Sequence, residues 1–134
     1  MILVTGGAGF IGSAWVWYLN QLGETDILIV DKLGTSEKWK NLVPLKYSDY
    51  IEKEDFLAKL KNGDYKRLFK EVYHLGAQSA TYEKDATYLI KNNFEFSKDI
   101  LEYCDSEKIK MVYASSAATY GGSEVCSDQT SLQN

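Results

Sequence analysis

The sequence predicts an α/β fold, a doubly wound parallel sheet with helices on both faces. Three observations predict it. Short apolar runs rich in branched residues alternate with stretches at helical spacing. The first such run passes through a glycine turn into a helix, and a second apolar run follows, which is a βαβ unit. That second run ends on an acidic residue, Asp31, at the place where a strand of an open sheet meets its ligand.

Taken in order, residues 1–5 (MILVT) read as a buried strand. From 10 to 22 the period becomes helical. Ile11, Ala14, Trp15, Tyr18, Leu19 and Leu22 share one expected apolar face, and Gly23 is a stop signal. Trp15 is expected in the core and Trp17, off that face, at the surface. Residues 26–30 (DILIV) read as the second strand, and 32–45 as a loop carrying Gly34, Thr35, Ser36 and the single proline, Pro44. Residues 53–61 (KEDFLAKLK) read as a helix ended by Gly63, and 71–75 (EVYHL) as a strand. Residues 92–107 read as a helix with Ser97, Ile100, Leu101 and Cys104 on one face. Residues 110–114 (KMVYA) give a further strand, and the last twelve residues are polar and irregular.

Composition narrows the function. The chain has 134 residues, 45% hydrophobic and 25% charged, which suits one soluble globular domain. Its net charge of −4 disfavours nucleic acid as a partner, because phosphate recognition needs a basic face. The lysines and Arg67 between 53 and 70 are interleaved with acids and read as a solvated helical face. The two cysteines, Cys104 and Cys126, form no C-x-x-C, and His74 is the only histidine, so no metal site is expected. No apolar run reaches the ~18 residues of a membrane span, and no basic leader precedes the first strand. A cytoplasmic location with no membrane partner is the expectation.

Gly7-Ala8-Gly9-Phe10-Ile11-Gly12 fits G-x-G-x-x-G, a weak pattern alone. Here a strand precedes it, a helix follows, and Asp31 stands 19 positions after Gly12. Each part has a physical use. The early glycines let the backbone turn sharply and approach a pyrophosphate. The last lets helix and strand pack closely. The helix N-terminus offers unpaired N–H groups to an anion, and Asp31 can accept from a ribose diol. A dinucleotide diphosphate is the expected ligand. An Asp at this position favours NAD, since a 2′-phosphate would meet its charge, whereas Lys32, Lys38 and Lys40 can offset that charge and admit NADP. His74 has no carboxylate at a suggestive spacing and reads as a packing residue rather than a general base. Tyr82 and Tyr120 read as structural or substrate-adjacent.

The stretch beginning at Thr5 is also T-G-G-x-G-F-I-G. Together with His74-Leu75-Gly76-Ala77, Asn92-Asn93 and the run from Ala114 to Gly121 (ASSAATYG), it resembles the extended short-chain dehydrogenase/reductase family. DILIVD, SDYIEKEDF and YASSAATYGG bring the resemblance closest to its epimerases of nucleotide-linked heptose, which serve the lipopolysaccharide inner core.

The resemblance implies a Rossmann-type fold and a nucleotide-sugar epimerase. Such an enzyme oxidises the sugar transiently with bound NADP, or alternatively NAD, and re-reduces it on the other face. It implies that Gly6, Gly7, Gly9, Phe10, Ile11 and Gly12 line the cofactor diphosphate, and that Asp31 and Lys32 meet the adenosine ribose. Lys38 would approach the ribose phosphate, and Lys53 the adenosine side. Leu75, Gly76 and Ala77 would run along the cofactor, and Asn92 would approach its nicotinamide half. Ser116 matches the Ser/Thr of the family's catalytic triad, with its hydroxyl on the substrate oxygen, and Ser79, Ala80 and Thr81 match a substrate-side loop. NADP is the cofactor expected on this basis, with a homo-oligomer as the assembly.

One departure bears on activity. Family members carry Tyr-x-x-x-Lys roughly two dozen residues after this serine, the tyrosine acting as acid/base and the lysine lowering its pKa. None of the ten tyrosines here has Lys four residues on, and the chain stops 18 residues after Ser116. The expectation is therefore an incomplete Rossmann domain over residues 1–134, cut after the fifth-strand region and lacking its C-terminal substrate domain. Alone, such a chain would have feeble activity and an open sheet edge around Met111 and Tyr113 that favours self-association. The alternatives are a non-catalytic NAD(P)-binding fragment, or the N-terminal part of a UDP-sugar 4-epimerase or dehydratase.

Overall fold

The computed structural model describes residues 1–77, 90–116 and 121–122, with Lys91 and Asn92 described by their backbone alone. Five parallel strands form one sheet: β1 (Ile2–Thr5), β2 (Ile27–Asp31), β3 (Asp49–Glu52), β4 (Glu71–His74) and β5 (Lys110–Tyr113). Their order is β3-β2-β1-β4-β5, so β1 lies at the centre and the chain crosses over it between β3 and β4. Thr5 aligns with Val30 on one side and His74 on the other, which gathers the C-terminal ends of β1, β2 and β4 at one edge.

The central strands are continuous apolar runs because both faces of the sheet are covered. Alternation along β1 divides the core in two. Ile2 and Val4 join Ile27, Ile29, Val16, Leu19 and Leu42 on one face. Leu3 joins Leu28, Val30, Val72, Phe56, Phe96 and Ile100 on the other. Helix α1 (Phe10–Gln21) covers the first face. Helices α2 (Lys53–Asn62) and α3 (Phe96–Glu107) cover the second, so the sheet is doubly wound as its sequence predicts.

Three expectations are corrected. Strand β3 has no counterpart among the elements the sequence predicts. It is an edge strand, DYIE, with no residue fully buried, so it carries no apolar run to announce it. The face of α1 is rotated from the one expected: Gly12, Val16 and Leu19 are buried, while Ile11, Ala14, Tyr18 and Leu22 are exposed. The cause is Gly12, since a Cβ there would overlap the Gly6 carbonyl. The helix must turn that position inward to approach the loop, and Val16 and Leu19 follow one and two turns later. Trp15 is accordingly half-buried, its ring 4.9 Å from Tyr73. In the 92–107 stretch the chain first makes a π-helical turn, Ile90–Glu95, before α3 begins. There Phe96, Ile100 and Cys104 are buried and Leu101 is exposed. Trp17 lies at the surface, as expected. At the β5 edge, Val112 and Tyr113 are exposed and Met111 is half-buried.

Candidate cofactor site

The turn after β1 is built by close backbone approach. Gly6 has φ +71°, and a Cβ on it would stand 2.6 Å from Gly76 Cα, so the turns after β1 and β4 touch main chain to main chain. Gly9 N–H donates to the Gly6 carbonyl at 3.0 Å, and Gly9 is the N-cap of α1. Gly9 has no side chain to cap that helix and no acid stands in its first turn, so among the described residues no cap or first-turn acid meets its leading N–H groups and positive dipole end.

Asp31, at the end of β2, fastens this turn. Its Oδ2 accepts from Ala8 N–H at 2.9 Å and its Oδ1 from Lys32 N–H at 2.7 Å. Lys38, from the 3-10 turn Glu37–Leu42, pairs with the same Oδ1 at 2.5 Å. Asn41 of that turn donates to the Ala8 carbonyl at 2.9 Å. Asp31 is nearly buried, and a carboxylate so placed needs these donors and this cation.

A cavity opens at this edge of the sheet. It is lined by Gly6 and Gly9, by Asp31 with Lys32, Lys38 and Lys53, and by the Leu75–Gly76–Ala77 turn. Val30 and Phe96 complete the lining and were not among the residues singled out from sequence. Val30 could have been inferred from its place beside Asp31, but Phe96 lies in no motif and arrives only because α3 packs across β4. Lys53 Nζ stands 5.0 Å from the Phe96 ring centroid, and burial lowers its pKa from the usual lysine range.

Other residues expected at the site do not line this cavity. Gly7 packs against Ile29 and Gly12 against Gly6, beneath the cavity rather than on its wall. Phe10 and Ile11 are exposed in the first turn of α1. Ser116 is exposed three residues beyond β5 and does not line the cavity. Ser79, Ala80, Thr81, Tyr82, Tyr120 and Cys126 lie outside the described residues, as does the side chain of Asn92. His74 is buried, T-shaped to Phe96 at 5.1 Å and stacked on Tyr113 at 5.7 Å, in keeping with its reading as a packing residue.

The donor set suits a dinucleotide. Glycines leave room for a diphosphate at a helix N-terminus, and three lysines around one acid suit a ribose with or without a phosphate. Among the described residues, no three His, Cys, Asp or Glu side chains are grouped to hold a metal ion, and no helix is long and apolar enough to cross a membrane.

Known proteins agree with this architecture. The model of the NAD dependent epimerase/dehydratase family matches residues 2–133. ADP-L-glycero-D-manno-heptose-6-epimerase of Nitratidesulfovibrio vulgaris is 50% identical over 121 residues, which cover 90% of this chain and 38% of that protein. The crystal structure of the Helicobacter pylori ADP-L-glycero-D-manno-heptose-6-epimerase superposes with a TM-score of 0.76 at 30% identity, over 92% of this chain and 41% of that one. UDP-glucuronic acid 4-epimerase from Bacillus cereus, in complex with NAD, superposes with a TM-score of 0.73 at 27% identity, over 91% of this chain and 41% of that one. This chain therefore spans less than half the length of each.

Proposed function

The chain belongs to the NAD dependent epimerase/dehydratase family, and from that premise we propose that it is the cofactor-binding part of an NADP-dependent epimerase of nucleotide-linked heptose. The observation that carries the reading is the Asp31 cluster. An acid that would repel a 2′-phosphate is already paired with Lys38, and Lys32 and Lys53 line the same cavity. The likeness to two heptose epimerases supports the substrate class.

In this reading residues 1–134 form a Rossmann domain that belongs to a longer enzyme. Gly6 and Gly9 make room for the diphosphate, which the N–H groups at the α1 N-terminus meet. Asp31 and Lys32 meet the adenosine ribose, Lys38 its phosphate, and Lys53 the adenosine side. Leu75, Gly76 and Ala77 form the wall that excludes water along the cofactor, and Asn92 approaches its nicotinamide half. The bound cofactor supplies reversible hydride transfer. Ser116 is the group of this chain that donates a hydrogen bond to the substrate oxygen, and Ser79 and Thr81 meet the sugar nucleotide. The enzyme works in the cytoplasm as a homo-oligomer.

A second reading, NAD in place of NADP, is favoured by Asp31 itself, whose acceptor oxygens suit a ribose diol. It is also favoured by the NAD complex of the Bacillus cereus relative. The test is two-part. Calorimetric titration with NADPH and NADH decides the cofactor, with NADPH expected to bind more tightly. Sugar-nucleotide turnover by the longer enzyme of which this domain is part, followed by proton NMR, then compares the wild type with Ser116→Ala. Loss of turnover in that variant is the enzyme's result. Cofactor binding with no turnover in either form is the result for a non-catalytic binding module.

A further inference from the structure

Beneath the cavity four hydrogen bonds run in one line. Gly76 N–H donates to Thr5 Oγ1 at 3.2 Å, and Thr5 Oγ1 lies 2.7 Å from His74 Nδ1. On the far side of the ring, His74 Nε2 lies 2.8 Å from Ser97 Oγ, and Ser97 Oγ–H donates to the Asn93 carbonyl at 2.6 Å. For a neutral ring, proton counting fixes every direction. A carbonyl only accepts, so Ser97 gives its single proton to Asn93 and must accept from Nε2–H. A neutral imidazole protonated at Nε2 leaves a lone pair on Nδ1, and Thr5 O–H donates to it. Thr5 Oγ1 is then free to accept from Gly76. With the ring neutral, as its burial favours, one arrangement of protons satisfies all four bonds, and it requires the Nε2–H tautomer.

We propose that Thr5, His74 and Ser97 form a positioning relay that sets the separation of the two backbone walls of the cofactor cavity, a role that rests on the dinucleotide reading above. Thr5 accepts from both successive amides of the opposite turn, Leu75 N–H on its carbonyl at 3.1 Å and Gly76 N–H on its hydroxyl. This pins the Leu75–Gly76–Ala77 wall against the Gly6 turn, where a side chain on either glycine would collide with the other's backbone. Through Ser97 the same relay reaches Asn93, in the π-helical turn that leads into α3. His74 and Thr5 are almost wholly buried, and Phe96 and Tyr113 flank the ring, so the imidazole touches no ligand and acts only through its neighbours. Lys53, the charged group that acts on His74 and itself contacts Phe96, opposes an imidazolium there. Burying Thr5 and His74 and half-burying Ser97 costs desolvation that apolar residues would not, and the return is a single fixed geometry.

The experiment uses the fact that His74 is the only histidine of the chain, so a long-range proton–nitrogen NMR spectrum contains one imidazole. At neutral pH it is expected to show Nε2–H with Nδ1 unprotonated, and the Gly76 amide is expected to be protected from exchange. Thr5→Val keeps the shape of the strand residue and removes the hydroxyl, and Ser97→Ala breaks the far end. Each is expected to change the tautomer balance, and Thr5→Val to speed Gly76 exchange. Each should weaken NADPH binding ~10-fold, the scale of one lost buried hydrogen bond, while unfolding stays cooperative. An Nδ1–H tautomer in the wild type overturns the relay, as does wild-type NADPH affinity in both variants. Should the wild type bind neither cofactor, the cofactor reading fails, and the tautomer and the Gly76 amide still decide the relay. Should Thr5→Val not fold, Ser97→Ala decides it.

Discussion

Lys38 Nζ sits 2.5 Å from Asp31 Oδ1, while the other oxygen of that carboxylate holds the Ala8 amide at 2.9 Å. One acid thus fastens the glycine turn and is charge-balanced from a separate element, the 3-10 turn Glu37–Leu42. The cavity lining sets this one acid beside Lys32, Lys38 and Lys53. In the proposed reading, cofactor choice follows from that balance.

Removing the lysine should therefore act on one cofactor more than the other. Lys38→Met leaves the Asp31 charge facing any 2′-phosphate. NADPH affinity is expected to fall about tenfold or more, the scale of a charge-assisted hydrogen bond, and NADH affinity to change little. Parallel titrations check it, and equal losses for both cofactors would contradict it.

The converse change is Asp31→Asn. The amide oxygen still accepts from Ala8, but the charge that holds Lys38 is gone. The ratio of NADPH to NADH affinity should rise about tenfold, because the diol loses its charged acceptor and the phosphate gains a cation. Competition between the two cofactors measures the ratio directly.

The buried imidazole gives a pH dependence of known sign. Burial, with a smaller effect of the Lys53 charge, presses His74 down from 6.5 to about 4. Between those values the unfolded chain binds a proton that the folded chain refuses. This contribution to stability is complete above pH 6.5 and is lost as pH falls toward 4, approaching about 3 kcal/mol. Urea unfolding across that range should show the loss, and His74→Gln should flatten the part that belongs to the ring.

Phe56 is fully buried in the core beneath α2 and stacks on Tyr65 at 5.0 Å. Phe56→Ala should cost about 3–5 kcal/mol, read as a lower urea midpoint. A cost under 1 kcal/mol would mean that α2 does not pack on the sheet as described.

Much of this was legible in the sequence, for physical reasons that differ by element. Strands β1 and β2 are buried on both faces, so their apolar runs are unbroken, and the spacing from Gly12 to Asp31 ties them to one turn. Strand β3 escaped because an edge strand need not be apolar. The face of α1 was misread because the helix is apolar nearly all round, with Ile11, Tyr18 and Leu22 as hydrophobic as the buried Val16 and Leu19. Its orientation is set by a contact between two glycines, which no periodicity reports. Lys38 could be picked out by resemblance, but its pairing with Asp31 depends on how the 3-10 turn folds back. Phe96 and the Thr5–His74–Ser97 line join residues up to 92 positions apart, and only the strand order brings them together.

The most direct test of the cofactor site is a nicotinamide fluorescence titration of the wild type and of Gly9→Asp. Position 9 is the N-cap of α1, where Asp is a favourable capping residue, but a Cβ there would stand 3.2 Å from the Gly6 carbonyl, so circular dichroism must first show that the variant folds. Its carboxylate would occupy the cavity wall at the helix N-terminus and repel a diphosphate. Saturable NADPH binding by the wild type, abolished in a folded Gly9→Asp chain, is the predicted result. A folded wild-type chain that binds neither NADPH nor NADH, or a Gly9→Asp chain that binds as tightly as the wild type, would contradict it.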